Sequence, residues 1–78
     1  MNIQLLGTSG CHLCDVAEEK IRLLAPSLGY TVKKIDIASE DGLVKQYGLL
    51  IPVLRSESGQ ELCWPFDEES IVAWSKSL

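Results

Sequence analysis

Ile3, Leu5 and Leu6 form a short apolar run over about Asn2 to Leu6, and Gly7-Thr8-Ser9-Gly10 then breaks the pattern as a strand-to-loop transition. After Cys14 the apolar residues return at helical spacing as Ala17, Ile21, Leu24 and Leu28, with Glu18, Glu19, Lys20 and Arg22 on the other face. This predicts a helix from about Cys14 to Ala25. Pro26 lacks the amide a helix interior needs and is expected to end it. Ser27-Leu28-Gly29 reads as the exit turn, with Gly29 suited to a left-handed cap. Tyr30 to Ile37 is rich in β-formers and predicts a second strand, parallel to the first because a helix connects them. Asp36 is expected at its C-terminal edge, facing water.

Ala38 to Gly42 predicts a loop or helix start with Ser39, Glu40 and Asp41 as capping candidates. A short helix through Leu43-Val44-Lys45-Gln46-Tyr47 should stop at Gly48. Leu49-Leu50-Ile51 leads into Pro52, and Val53-Leu54-Arg55 continues as a third strand. Ser56 to Gly59 is a hairpin turn, and Gln60 to Trp64 is a fourth strand, necessarily antiparallel to the third. Asp67 is a natural N-cap, with Glu68 and Glu69 in the first turn of a last helix that carries Ile71, Val72 and Trp74 and reaches Lys76. The order is β-α-β-α-β-β-α: an α/β domain with a four-stranded mixed sheet flanked by three helices.

The bulk numbers narrow the function classes. The chain has 78 residues, enough for a single domain over 1–78, and 46% of them are hydrophobic, which excludes disorder. Seven basic against eleven acidic residues give a net charge of −4 with no basic run, so neither nucleic acid nor an anionic membrane is expected as a partner. No apolar run approaches the roughly 20 residues of a membrane span. Three cysteines, an odd count, argue against a secreted disulfide framework, and the N-terminus shows no basic region of a signal peptide. A cytoplasmic location and a monomer are expected, and in the cytoplasm a CxxC pair is catalytic or metal-binding more often than structural.

The chemistry-bearing stretch is Gly10-Cys11-His12-Leu13-Cys14, at the start of the first helix. Residues three apart on a helix share a face, with Cα atoms about 5 to 6 Å apart, inside the window of a disulfide. Unpaired N–H groups of a first helical turn favour a negative charge, so Cys11 is the expected thiolate nucleophile. Cys14 is placed to resolve the mixed disulfide. A pair of structural cysteines, or half of a zinc site, is the alternative.

The element order, the CxxC after the first strand and a proline opening the third strand resemble the thioredoxin fold. The size, Ile51-Pro52-Val53-Leu54 and Trp64-Pro65-Phe66-Asp67 are most similar to a small bacterial glutaredoxin-like family. The resemblance implies a cis peptide bond before Pro52, in a turn that faces the redox pair and offers the backbone of Ile51 to an extended substrate. Pro26 and Pro65 are read only as ending a helix and a strand. The resemblance implies thiol–disulfide oxidoreductase activity, with Cys11 and Cys14 catalytic and His12, Leu13, Ile51, Pro52 and Asp67 contacting substrate. Protein or small-molecule disulfides are the implied substrates. Glutathione is a candidate co-substrate and, with a thioredoxin-type protein, a candidate reductant. Two departures weigh against glutathione: Thr8 stands where such glutaredoxins carry a lysine, and Cys63-Trp64-Pro65 replaces a Gly-Gly pair.

Several residues admit two readings. His12 could stabilise the Cys11 thiolate, although a helix N-terminus disfavours its charge; Leu13 could dock a partner or pack on the loop. Cys63 is expected to be a small buried hydrophobe, with a third redox or metal group as the alternative. Trp64 packs either near the active face or into the core, Trp74 is expected in the core, and Tyr47 either lines a groove or packs at the surface. A closed zinc site lacks ligands, and no other cofactor or metal ligand is assigned. The alternative function is a non-catalytic iron–sulfur or partner-binding module, its cluster shared between two copies.

Overall fold

The computed structural model describes residues 2–78. Strands β1 (Asn2–Gly7), β2 (Thr31–Asp36), β3 (Val53–Ser56) and β4 (Glu61–Cys63) form one sheet in the order β2-β1-β3-β4. The connecting helices are α1 (His12–Leu28), α2 (Asp41–Tyr47) and α3 (Glu68–Lys76), with a 3₁₀ turn at Ile37–Ser39. β1 and β2 are parallel, while β1–β3 and β3–β4 are antiparallel. This is the α/β arrangement with a four-stranded mixed sheet and three helices that the sequence predicts.

Side-chain alternation gives the sheet two unlike faces. Ile3, Leu5 and Leu54 bury against Ala17, Ile21 and Ala25 of α1, Phe66, and Ile71 of α3. Leu6 and Val53 point the other way, onto Ile37 and Tyr47. One face therefore carries α1 and α3. The other is covered over one end by the seven residues of α2.

Several expectations are corrected. α1 does not end at Pro26 but runs to Leu28. A proline this late forfeits one helical hydrogen bond, while Leu28 gains a place against the main core. Gly29 then caps the helix in the left-handed conformation, as predicted. The second strand stops at Asp36, because the Asp36 carboxylate accepts a 2.9 Å hydrogen bond from the Ala38 amide and turns the chain into the 3₁₀ segment. Cys63 is exposed, not buried. It lies at the end of the edge strand β4, and its register partner Val53 sets it on the α2 face, beyond what that short helix covers.

Trp74 packs against the main core, half-buried, with its indole N–H unpartnered. Tyr47, expected to line a groove or pack at the surface, is instead a core residue, 3% exposed, whose hydroxyl meets the Glu61 carboxylate and accepts from Arg55 Nη1 at 3.2 Å. Arg55 Nε in turn donates to Gln4 at 2.8 Å. No described helix is long and apolar enough to cross a membrane.

Candidate redox site

The site is built by the turn that carries β1 into α1. Gly10 adopts φ +77°, a left-handed conformation that glycine reaches without steric cost. The chain then enters Cys11 in an extended conformation, φ −95° and ψ 105°, as the N-cap of α1. Cys11 Sγ accepts a hydrogen bond from the Cys14 amide at 3.2 Å. An N-cap residue normally offers an oxygen to the unpaired amides of the first turn; here a sulfur takes that place. Asp15 N–H donates to the Cys11 carbonyl at 3.2 Å, which starts the helical ladder.

Cys11 and Cys14 are joined by a disulfide with Cα atoms 5.2 Å apart, within the range the helical spacing implies. The two sulfurs sit in unlike surroundings. Cys11 is half-exposed, whereas Cys14 is 4% exposed and faces the sheet. Its Sγ lies against the backbone of Gly7, at the end of β1. Any side chain at position 7 would occupy the space that Cys14 uses.

The β1–β3 register brings the proline to the same place. Leu6 pairs with Val53, so continuing the antiparallel register sets Pro52 beside Gly7. Gly7 pairs on its other side with Asp36, and the Pro52 carbonyl accepts from Trp64 N–H at 3.1 Å. Asp36, Gly7, Pro52 and Trp64 thus form one row across the end of the sheet, with Cys14 over Gly7. The Ile51–Pro52 peptide is cis, as the resemblance implied; Pro52 is buried and Ile51 half-buried.

The remaining sequence candidates fall as follows. His12 and Leu13 are exposed on the first turn of α1 between the two cysteines. Asp67 caps α3, its carboxylate accepting from Ser70 N–H at 2.8 Å; that bond holds the carboxyl below the usual aspartate range. No hydrogen bond among the described residues links Asp67 to the Cys11–Cys14 turn. Cys63 stands on the opposite face of the sheet from Cys14, and no three His, Cys, Asp or Glu side chains among the described residues converge as a metal site would require.

Sequence reasoning missed two features of the site. One is the Gly7–Cys14 contact, whose only signal is a glycine at a strand end. The other is a second cis bond, Trp64–Pro65, where the sequence was read as a strand terminator alone. Trp64 next to it packs edge-on against Phe66, ring centroids 5.2 Å apart.

Comparison with known proteins agrees with this geometry. Residues 2–76 match the family model of the glutaredoxin-like domain (DUF836). The crystal structure of the protein XcR50 from X. campestris is 37% identical and superposes with a TM-score of 0.84, covering 97% of each chain. An uncharacterized protein of Mycobacterium tuberculosis is 26% identical over 76 residues, which cover 91% of this chain and 78% of that one. Thioredoxin 1 from Thermosipho africanus, at 15% identity, shares the fold with a TM-score of 0.73 over 99% of this chain and 92% of its own. The chain thus belongs to the glutaredoxin-like family and has the thioredoxin fold.

Proposed function

We propose that this protein is a dithiol–disulfide oxidoreductase working through Cys11 and Cys14. The observation that carries the reading is one disulfide linking a half-exposed N-cap sulfur to a buried sulfur one turn later. An accessible sulfur held at unpaired amides is a nucleophile, and a protected neighbour within bonding reach is a resolving thiol.

In the reduced protein the Cys11 thiolate attacks one sulfur of a substrate disulfide. A Cys11–substrate disulfide forms, the substrate S–S bond breaks, and one substrate thiolate leaves to be protonated by water. The Cys14 thiolate then attacks Cys11 Sγ, breaks the mixed disulfide and releases the second substrate thiolate. The substrate gains two electrons and the enzyme is left with the Cys11–Cys14 disulfide. An external thiol or a thioredoxin-type reductant restores the dithiol. The Ile51 N–H is taken by the Tyr47 carbonyl at 3.1 Å, so Ile51, ahead of the cis Pro52, presents its carbonyl to an extended substrate. Such a cycle needs a compartment where thiols are kept reduced, which suits the cytoplasm.

The test is turnover of an aromatic disulfide whose released thiol is coloured. Wild-type protein supplied with a dithiol reductant should turn it over, and Cys11→Ser should abolish turnover. Equal activity in the two proteins would refute the assignment.

A further inference from the structure

The exposed apolar surface of this chain is not scattered. Of the five large hydrophobic residues exposed among the described residues, Val44, Leu49 and Leu50 lie on α2 and the link to β3, at 45, 102 and 47% relative exposure. A fourth, Leu13, sits between the two thiols at 45%, and only Leu23 stands apart. Exposed apolar residues occurring singly are ordinary; a cluster beside reactive groups is a mark of an interaction site.

The cluster leads along the chain into the strand end that carries the redox site. Leu50 and Leu49 are two and three residues ahead of Pro52, hence within about 10 Å of it along the chain. Pro52 is set beside Gly7, which touches Cys14. Val44, Leu49 and Leu50 line an open groove of about 580 Å³ with Lys45, Gln46 and Gly48, large enough for one or two side chains of a partner.

Charge argues for what fills it. The segments that frame the disulfide, 7–15, 48–53 and 63–68, contain no lysine or arginine, yet they hold Asp15, Asp67 and Glu68. Asp36 ends the same row of the sheet. Lys20 is taken by Glu68 at 3.2 Å and Lys34 by Glu18 at 3.1 Å. Lys45 is the one cation on the wall of the groove. A small disulfide carrying two carboxylates per half, as glutathione does, meets no cationic frame here.

Resting on the oxidoreductase reading above, we infer that the substrate is a polypeptide disulfide whose cysteine is flanked by apolar residues. These residues seat on Leu13 and in the Val44–Leu49–Leu50 groove while the substrate backbone meets the Ile51 carbonyl, whose own N–H is held by Tyr47. Cys11 then attacks the partner's sulfur as written above, with the same electron balance.

The test uses two disulfide-linked peptides that differ only in Leu/Val or Ser/Gly flanks, with oxidised glutathione as a third substrate. Wild-type kcat/KM should favour the apolar flanks over both others by about tenfold or more, the range that an apolar contact supplies. Leu49→Ser and Leu50→Ser, with Val44→Ser as a further variant, should each cut that ratio several-fold, and Leu23→Ser should leave it unchanged. Equal kcat/KM on all three substrates would overturn the inference and leave the chemistry of Cys11 standing. Absence of turnover on all three, with the coloured disulfide also untouched, would sink both. Self-association of wild-type protein that Leu49→Ser abolishes would assign the groove to a second copy and overturn the inference as well.

Discussion

A Cβ atom added to Gly7 would lie 3.0 Å from the Sγ of Cys14 and 3.1 Å from its Cβ. The end of β1 and the Cys14 sulfur are therefore packed with no space between them. Gly7→Ala must push α1 off the sheet or force Cys14 from its position. Overpacking of this kind costs about 1–3 kcal/mol. Denaturant unfolding of the oxidised protein should show a loss of that size, together with slower release of substrate from the Cys11 mixed disulfide. Unchanged stability and release would mean that the contact is not a constraint.

The Cys11 thiol of the reduced protein should titrate below the value of about 8.5 for a free cysteine. The cause is visible in the oxidised form, where the Cys14 amide already points at Cys11 Sγ. The pH dependence of Cys11 alkylation in a Cys14→Ser, Cys63→Ser background gives the value directly. A midpoint at or above that of a free thiol would remove the helix terminus as the activating device.

Asp67 supplies a pH-dependent part of the stability. Its carboxyl is held below the usual range chiefly by the Ser70 backbone amide. A lowered folded-state value means that the contribution is complete above the unfolded value of about 3.9 and is lost as pH falls through the folded one. Asp67→Asn keeps an acceptor for Ser70 but cannot titrate. The gap in stability between wild type and this variant should therefore shrink on acidification below about pH 4. A gap that stays constant with pH would show that the carboxylate is not the titrating cap.

The buried hydroxyl of Tyr47 holds Glu61 and Arg55 together on the α2 face of the sheet. Tyr47→Phe leaves Arg55 Nη1 without this acceptor and should cost about 1–3 kcal/mol of stability. The Glu61 hydrogen bond pushes the Tyr47 phenol above its ordinary value. Ultraviolet titration should find the Tyr47 phenol shifted upward, and Glu61→Gln should lower it again. A Tyr47→Phe protein as stable as wild type would mean that water replaces the network at no cost.

The fold was legible because local signals agreed with one another. The apolar spacing Ala17, Ile21, Leu24 and Leu28 marked α1, and the β-rich run after Gly29 marked β2. Asp67, followed by two glutamates, marked the start of α3. Pro26 misled because its cost depends on how many helical bonds lie beyond it, and in a last turn few do. Cys63 misled because burial was inferred from residue type, whereas its exposure depends on how far α2 reaches across the sheet.

The cysteine pair was legible for a different reason. Both cysteines lie in one turn, so a local rule sufficed for their spacing and for placing Cys11 at the start of the helix, although α1 begins at His12 rather than at about Cys14. What packs against them was not local. Gly7 meets Cys14 through a strand–helix crossing, and Pro52 reaches Gly7 through strand pairing at a separation of 45 positions, 52 minus 7. The polar chain Gln4–Arg55–Tyr47–Glu61 joins three strands and a helix, and no sequence periodicity announces it.

The central assignment is of roles, Cys11 attacking and Cys14 resolving, and mass spectrometry of a trapped intermediate tests it most directly. Reduced Cys14→Ser protein mixed with a substrate disulfide should accumulate one adduct, on Cys11, while wild type passes on to the Cys11–Cys14 disulfide and free product. Recovery of the adduct on Cys63, or of no adduct from either protein, would contradict the account.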